Sequence, residues 1–259
     1  MQVPSPLARY HQVLSTVAGH THGLTLAQLV DIVKLPRSSV HRLATSLCAV
    51  GYLHLNADGA YALGPALMDL LRASLAAGKW SEPLKPALHL LASELGETAF
   101  FARLSDQRIE LIDAVTPGSG DRSYVHPGTG ERPVDTCSSS KAILAFAEPD
   151  VIRQLFDSSG LANNDENEWT DFNEALRKVA RDGYAVCDGE IDEGVFSVAC
   201  PVPVGHLNGL FSIGVVGPSG RMKKTRLEKI VRVVRSAADV ASDILVGSIA
   251  SEARRPSAD

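Results

Sequence analysis

The chain has 259 residues, of which 45% are hydrophobic and 21% charged, and its formal net charge is −5. This composition is typical of globular domains, and no apolar run is long enough to span a membrane. The N-terminus does not resemble a signal peptide, and the four cysteines lack CxxC spacing. We therefore expect a cytoplasmic protein with reduced thiols, no membrane partner and no disulfide framework.

Two helices are predicted at the start of the chain. The first begins at Ser5-Pro6 and ends near Gly19. Its inward positions are Leu7, Tyr10, Val13, Leu14 and Val17. In the second helix, Thr25 and Gln28 have the spacing of a capping box, and the apolar pattern continues to about Val33. A short turn then leads to a third helix, and two short helices joined by a tight turn are typical of a helix-turn-helix.

The third helix is predicted to begin at Pro36, because proline is favoured at the first helical position. Its apolar stripe consists of Val40, Leu43, Leu47 and Val50. The polar side chains off this stripe include no carboxylate. They are Arg37, Ser38, Ser39, His41, Arg42 and Thr45. Arginine can bind guanine through two hydrogen bonds and hydroxyls can reach phosphates or bases, so this face is predicted to bind a DNA major groove.

A β-hairpin is predicted directly after this helix. Residues 52–55 and 60–63 have the composition of short strands, and Asp58-Gly59 marks the turn between them. A hairpin at this place is a wing, and its residues His54 and Asn56 are predicted to contact the DNA backbone or minor groove. The alternative at this point is a winged helix that binds another protein.

The charge distribution is compatible with DNA binding. Residues 1–64 contain four cationic side chains and two carboxylates, a balance of +2, so the rest of the chain carries −7. Phosphate neutralisation is local, and a mildly basic N-terminal part can bind DNA although the whole chain is acidic. Because the surplus is small, we expect more than one copy of the chain on each DNA site.

The remaining residues predict a linker helix and a second domain. The expected boundaries are 1–64 for the winged helix-turn-helix, 65–79 for the linker helix, 80–250 for the second domain and 251–259 for a disordered tail. Predicted strands cover residues 98–104, 108–115, 123–125, 184–186, 195–204 and 209–216, and predicted helices include 141–147, 170–181 and 221–246. Strands clustered between helices with hairpin-length gaps predict an α+β domain on one mainly antiparallel sheet.

The second domain contains four short motifs, which are Gly96-Glu97-Thr98, Cys137-Ser138-Ser139-Ser140-Lys141-Ala142, Gly183-Tyr184-Ala185-Val186 and Val216-Gly217-Pro218. Together with the winged helix-turn-helix before them, these motifs and their order resemble the IclR family of bacterial transcriptional regulators. The resemblance covers residues 7–247. It implies a winged helix-turn-helix, a linker helix and a GAF-like effector domain, in a regulator that binds double-stranded operator DNA and a small-molecule effector. It also implies homodimers or homotetramers.

The resemblance further implies an effector pocket between the sheet and the loops that cover it, including the segment 132–139. The positions assigned to it are Ser123, Val125, Pro133, Cys137, Ser138, Ser139, Cys187, Asp188, Ser197, Gly214 and Val216. Serines at a helix start suit a carboxylate, so we expect a carboxylic or aromatic acid. The same serines also suit a helix cap and tight packing. The chain departs from the common family pattern at Ser140, Cys187 and Ser197.

An acyl-transfer enzyme is the remaining alternative, because Ser138 and Lys141 fit the Ser-x-x-Lys motif. The Ser-Asp-Asn and Lys-Thr-Gly elements of that class are absent, so the sequence predicts a regulator rather than an enzyme. The acidic run Asp188 to Glu193 is typical of a solvated turn, and His20 and His22 have no third ligand nearby. We therefore expect no metal and no cofactor.

Overall fold

A computed structural model describes residues 5–20, 22–67, 69–70, 73, 80–105, 108–118, 123–159, 166–204 and 207–252. The chain divides into two compact units, Met1–Leu75 and Ala76–Asp259. Among the described residues, no helix is both long and apolar enough to cross a membrane.

Three helices and a hairpin form the first unit. Their bounds are α1 Pro6–Ala18, α2 Leu26–Val33, α3 Arg37–Ala49, β1 Leu53–Leu55 and β2 Tyr61–Leu63. The side chain of Ser5 caps α1, and α2 begins with the predicted capping box of Thr25 and Gln28. The two strands are antiparallel, and Leu24 pairs with Tyr61, which joins the hairpin to the segment before α2.

One apolar cluster holds this unit together. Its buried members are Val13, Val17, Leu24, Leu29, Val33, Val40, Leu43, Ala44, Leu47, Leu53 and Tyr61. Two positions predicted to face inward do not, since Leu7 is 76% exposed and Val50 is 58% exposed. Val50 lies outside because α3 ends at Ala49, and α3 begins one residue later than predicted because Pro36 is its N-cap, with ψ 138°.

A six-stranded sheet is the centre of the second unit. Its strands are β3 Thr98–Ser105, β4 Arg108–Val115, β5 Gly130–Glu131, β6 Ala185–Asp188, β7 Val195–Val204 and β8 Leu207–Pro218. They lie in the order β5-β4-β3-β8-β7-β6, and all neighbouring pairs are antiparallel. The predicted antiparallel sheet is therefore confirmed.

Helices cover both faces of this sheet. They are α4 Ser81–Leu95, α5 Ser138–Leu144, α6 Pro149–Ser158, α7 Glu166–Asp182, α8 Ser219–Met222 and α9 Leu227–Glu252. Helices α4 and α9 pack on one face, whereas α5 packs on the other and contacts α7. Alternation along β8 separates the faces: the Phe211 ring meets Trp80 at 6.4 Å between centroids, and the adjacent Ser212 donates to the carbonyl of Ser139.

Some predicted elements of this unit were wrong. Residues 123–125 form no strand, because the carbonyls of Ser123 and Val125 accept hydrogen bonds from the side chains of Arg221 and Thr98 instead of a neighbouring strand. Helix α5 begins three residues earlier than expected and α7 four residues earlier than Thr170. The predicted helix 221–246 is divided by a turn at residues 223–226 into α8 and α9.

Two predicted segments fall mostly outside the described residues. Of the linker helix, residues 65–67, 69–70 and 73 are helical, whereas 68, 71–72 and 74–79 lie outside the described part. The predicted tail begins inside α9, which continues to Glu252, and residues 253–259 are not among those described.

Candidate functional site

The polar face of α3 is open to solvent. Five of the six candidate side chains on this helix are exposed, and Ser39 is partly buried. No described residue forms an ion pair with Arg37 or Arg42. The turn before α3 is sharp because Lys34, the C-cap of α2, has a left-handed backbone with φ 58°. This face therefore has free cations and hydroxyls available for an outside partner.

The hairpin carries the two other candidate residues of the first unit. The ring Nδ1 of His54 lies 3.1 Å from the carbonyl oxygen of Leu63, and the side chain is exposed. Asn56 is instead occupied by the turn, because its Oδ1 accepts the backbone N–H groups of Asp58 and Ala60 and its Nδ2 donates to the carbonyl of His22. Asn56 thus shapes the wing, while His54 keeps a solvent-facing ring.

A cavity of about 120 Å³ lies in the second unit, between the α5 side of the sheet and the chain segments above it. Its apolar lining is contributed by Phe100, Leu111, Val125, Pro127, Ile191, Val195 and Val216. Its polar lining consists of His126, Arg132, Cys137, Ser138, Ser139, Cys187, Asp192 and Ser197. A cavity that combines apolar side chains with convergent polar groups is a candidate small-molecule site.

The aromatic wall of this cavity depends on a glycine. A Cβ at Gly214 would lie 2.4 Å from Cζ of Phe100 and 2.4 Å from the carbonyl oxygen of Val198. The Phe100 ring can therefore lie against the β8 backbone only because this position has no side chain. Gly214 thus determines the position of the Phe100 ring without lining the cavity itself.

Hydroxyl and thiol groups of the cavity bond to each other. Ser138 Oγ lies 2.7 Å from Ser197 Oγ, and Cys137 Sγ lies 3.0 Å from Ser139 Oγ. In the serine pair one hydroxyl donates to the other, which leaves the proton of the second available. Burial, and next the charge of Glu190, raise the pKa of Cys187 above its ordinary value. Cys187 is therefore a protonated thiol at neutral pH.

The loop between β6 and β7 forms one side of the cavity and is held by an ion pair. Lys141 Nζ donates to Glu190 Oε2 at 2.5 Å, and Lys141 is only 9% exposed. The loop begins and ends at glycines with positive φ, Gly189 and Gly194. Because Ile191 lies on this loop and lines the cavity, the ion pair fixes part of the wall.

A second ion pair holds the segment that supplies Val125 to the cavity. Arg221 Nε and Nη2 bind the two carboxylate oxygens of Glu97 at 2.6 and 2.7 Å, and Nη2 also donates to the carbonyl of Ser123 at 3.1 Å. Thr98 Oγ1 donates to the carbonyl of Val125 at 2.6 Å. Glu97 and Thr98 thus position this wall of the cavity without lining it.

Two family models match the two units of the chain. A model described as the IclR helix-turn-helix domain matches residues 6–57, and a model described as Bacterial transcriptional regulator IclR C-terminal matches residues 79–243. The chain belongs to the IclR family. This IclR-family regulator thus has an N-terminal DNA-binding helix-turn-helix and a C-terminal effector domain.

Known proteins agree with this assignment. The HTH-type transcriptional regulator TtgV of Pseudomonas putida is 29% identical over 221 residues, which cover 84% of this chain and 83% of TtgV. An IclR homologue of Microbacterium hydrocarbonoxydans crystallised with 4-hydroxybenzoate is 23% identical, with a TM-score of 0.55 over 93% of this chain and 99% of that one. A regulator of Alicyclobacillus acidocaldarius is 22% identical, with a TM-score of 0.55 over 95% and 100% of the two chains.

The cavity of this IclR-family chain contains part of the predicted pocket. Val125, Cys137, Ser138, Ser139, Cys187, Ser197 and Val216 line it. Four predicted residues lie elsewhere. Pro133 borders a separate groove, Asp188 pairs with Lys223 at 2.7 Å, Ser123 offers its carbonyl to Arg221, and Gly214 lies behind Phe100. Sequence reasoning missed Phe100, Leu111, His126, Pro127, Ile191, Asp192 and Val195.

The Ser-x-x-Lys motif does not have the arrangement of an acyl-transfer site. Lys141 is paired with Glu190, and Ser138 bonds to Ser197, so the ammonium and the hydroxyl are each held by another partner. The relatives are transcriptional regulators. Among the described residues no cluster of three or more His, Cys, Asp or Glu side chains could hold a metal ion.

Proposed function

We propose that this IclR-family regulator binds its operator through the exposed face of α3. Arg37 and Arg42 contact phosphate or guanine, and the hydroxyls and His41 position the helix or contact bases. His54 on the wing reaches the backbone or the minor groove. The observation that supports this proposal is the solvent exposure of these cations, which have no carboxylate partner among the described residues.

The effector-binding site in this proposal is the cavity beside α5. Its volume of about 120 Å³ is slightly below the roughly 150 Å³ of a cavity that binds benzene, so it limits the ligand to a single ring or a short chain. Its lining combines an aromatic wall, hydroxyls and one guanidinium. We infer a carboxylic or aromatic acid. The homologue crystallised with 4-hydroxybenzoate supports this class of ligand. The effector acts on DNA binding only through a difference in its affinity for two arrangements of the protein.

A homodimer or homotetramer completes the proposal. Two helix-turn-helix units read a pseudo-palindromic operator, with α3 helices in successive major grooves about 34 Å apart. The small positive balance of residues 1–64 supports the need for two copies. Because its target is genomic DNA, the protein acts in the cytoplasm.

The test is a gel-shift titration with DNA from the protein's own promoter region. Arg42→Ala is expected to weaken binding by at least about fivefold, because an arginine contact to a base contributes about 1–3 kcal/mol. Arg177→Ala, an exposed arginine of α7, serves as the control and should bind as the wild type does. Equal affinities for the wild type and Arg42→Ala would remove Arg42 from the DNA-contacting residues.

A further inference from the structure

The guanidinium of Arg132 has a hydrogen-bond donor to spare. Arg132 is half-buried and lines the cavity, and its Nη2 donates to the carbonyl of Gly128 at 2.8 Å. Its Nε is buried and has no hydrogen-bond partner. No described carboxylate forms an ion pair with this guanidinium. The Nε is closed off from solvent, but the guanidinium as a whole borders the cavity and has no ion-pair partner there, so an anionic ligand would be complementary to its charge.

The chain contains a second arginine that shows which anion fits. Arg221 uses the same two nitrogens, Nε and Nη2, to hold the carboxylate of Glu97, while its Nη2 also donates to the carbonyl of Ser123. Arg132 has the backbone carbonyl contact of this arrangement but not the carboxylate. A ligand carboxylate in the cavity would therefore give the Arg132 guanidinium the charged partner that Glu97 gives Arg221.

The rest of the cavity lining restricts what can be attached to this carboxylate. Phe100, Leu111 and Val216 form an apolar surface, and the Ser138–Ser197 pair offers one hydroxyl proton. Asp192 is the carboxylate on the wall, but it lies exposed on the covering loop and forms no ion pair with Arg132. It therefore leaves the charge of Arg132 without a partner, and it disfavours a second negative group on the ligand.

We propose that Arg132 is the carboxylate-binding residue of the effector cavity and selects small monocarboxylates over their neutral analogues. This assignment rests on the proposed effector function. The assignment adds two details to that function: the residue that recognises the acid group, and the side of the cavity on which this group lies. The apolar body of the ligand packs against the Phe100 wall.

A neighbouring groove must be distinguished from this site, because Arg132 borders both. That groove also contains Arg108, Pro133 and Leu155, none of which lines the effector cavity. An anion bound in the groove would depend on Arg108, whereas an anion bound in the cavity would not. Arg108→Gln is therefore the matched control for Arg132→Gln.

The experiment is calorimetric titration of the full chain with benzoate, 4-hydroxybenzoate and butyrate, each compared with its amide. The wild type should bind at least one acid at least about tenfold more tightly than its amide, since hydrogen bonds to charged groups contribute about 1.5–3 kcal/mol. Arg132→Gln should lose this preference. Arg132→Lys should lose most of it, because lysine keeps the charge but lacks the planar pair of donors. Arg108→Gln should keep it.

Three outcomes would overturn the assignment: no acid of the series binds, the wild type does not prefer acids to amides, or the preference survives in Arg132→Gln. The wild-type comparison of acid and amide needs no variant, so misfolding of a variant does not affect it. The proposed effector function is tested separately by adding the acid to the gel shift. Acids that bind through Arg132 without changing operator affinity would contradict effector control and support the role of Arg132.

Discussion

The serines at the start of α5 differ in what their hydroxyls bind. Ser138 is paired with Ser197 and Ser139 with Cys137, whereas the Oγ of Ser140 is buried without a hydrogen-bond partner. On β8, the buried Ser212 donates to the carbonyl of Ser139 at 3.1 Å. The hydroxyls of Ser140 and Ser212 are thus equally buried, but only that of Ser212 has a hydrogen-bond partner.

This contrast predicts opposite effects of alanine substitution on stability. Ser140→Ala should raise the free energy of unfolding by about 1 kcal/mol, because it removes an unpartnered buried hydroxyl and alanine is the better helix former. Ser212→Ala should lower it by about 1 kcal/mol, because the substitution removes a buried hydrogen bond. Urea denaturation of both variants measures the difference. A loss of stability in Ser140→Ala would show that its hydroxyl has a partner.

At this scale the sequence predicts some cavity residues and hides others. Ser138 lies in a motif and Cys187 directly follows another, and the family resemblance assigns both positions to the pocket. Phe100 and Leu111 do not stand out, because apolar residues on a sheet covered on both faces look alike whether they face a cavity or a packed core. The spare donor of Arg132 also cannot be predicted, since it depends on which nitrogen the carbonyl of Gly128 binds.

Among helices and strands, those fixed by local signals were predicted best. The start of α2 follows from Thr25 and Gln28, which are three residues apart. The break between α8 and α9 was missed, and residues 123–125 were wrongly predicted as a strand. Both adjoin the pair of Arg221 and Glu97, which are 124 residues apart, and no local pattern reveals such a contact.

The capping box gives a prediction that separates folding from DNA binding. Thr25→Ala should destabilise the first unit by about 1 kcal/mol, because Thr25 accepts the backbone N–H of Gln28 at the start of α2. Thr45→Ala, on the exposed face of α3, should change stability by less than about 0.5 kcal/mol and yet weaken operator binding. Thermal denaturation and gel shift on both variants provide the two readings. Equal destabilisation by the two substitutions would contradict the prediction that only Thr25 matters for stability.

Over the whole molecule, charge is divided unequally. Residues 1–64 carry a net charge of +2, and the remainder carries −7. The attraction to DNA therefore comes from a few local cations, while the acidic remainder contributes repulsion that salt screens. We therefore expect DNA affinity to depend on how many copies bind together.

The number of bound copies can be determined from the salt dependence of operator binding. If two copies each neutralise phosphates with Arg37 and Arg42, the slope of log K against log salt concentration should be about −4. Arg42→Ala should make this slope shallower by about 0.9 for each bound copy, hence by about 2 for a dimer. Fluorescence anisotropy titrations at salt concentrations from about 50 to about 200 mM measure both slopes. A flat salt response would favour the alternative that the winged helix binds a protein.

The contact between Gly214 and Phe100 also limits how this protein could be re-engineered as a biosensor. Even an alanine at position 214 would collide with the Phe100 ring and with the Val198 carbonyl. The shape of the cavity therefore cannot be changed by substitutions at this position. Space for bulkier ligands has to come from other lining residues, for example by replacing Leu111 or Val195 with smaller side chains. Libraries that keep position 214 fixed and vary those two should therefore retain more folded, responsive clones.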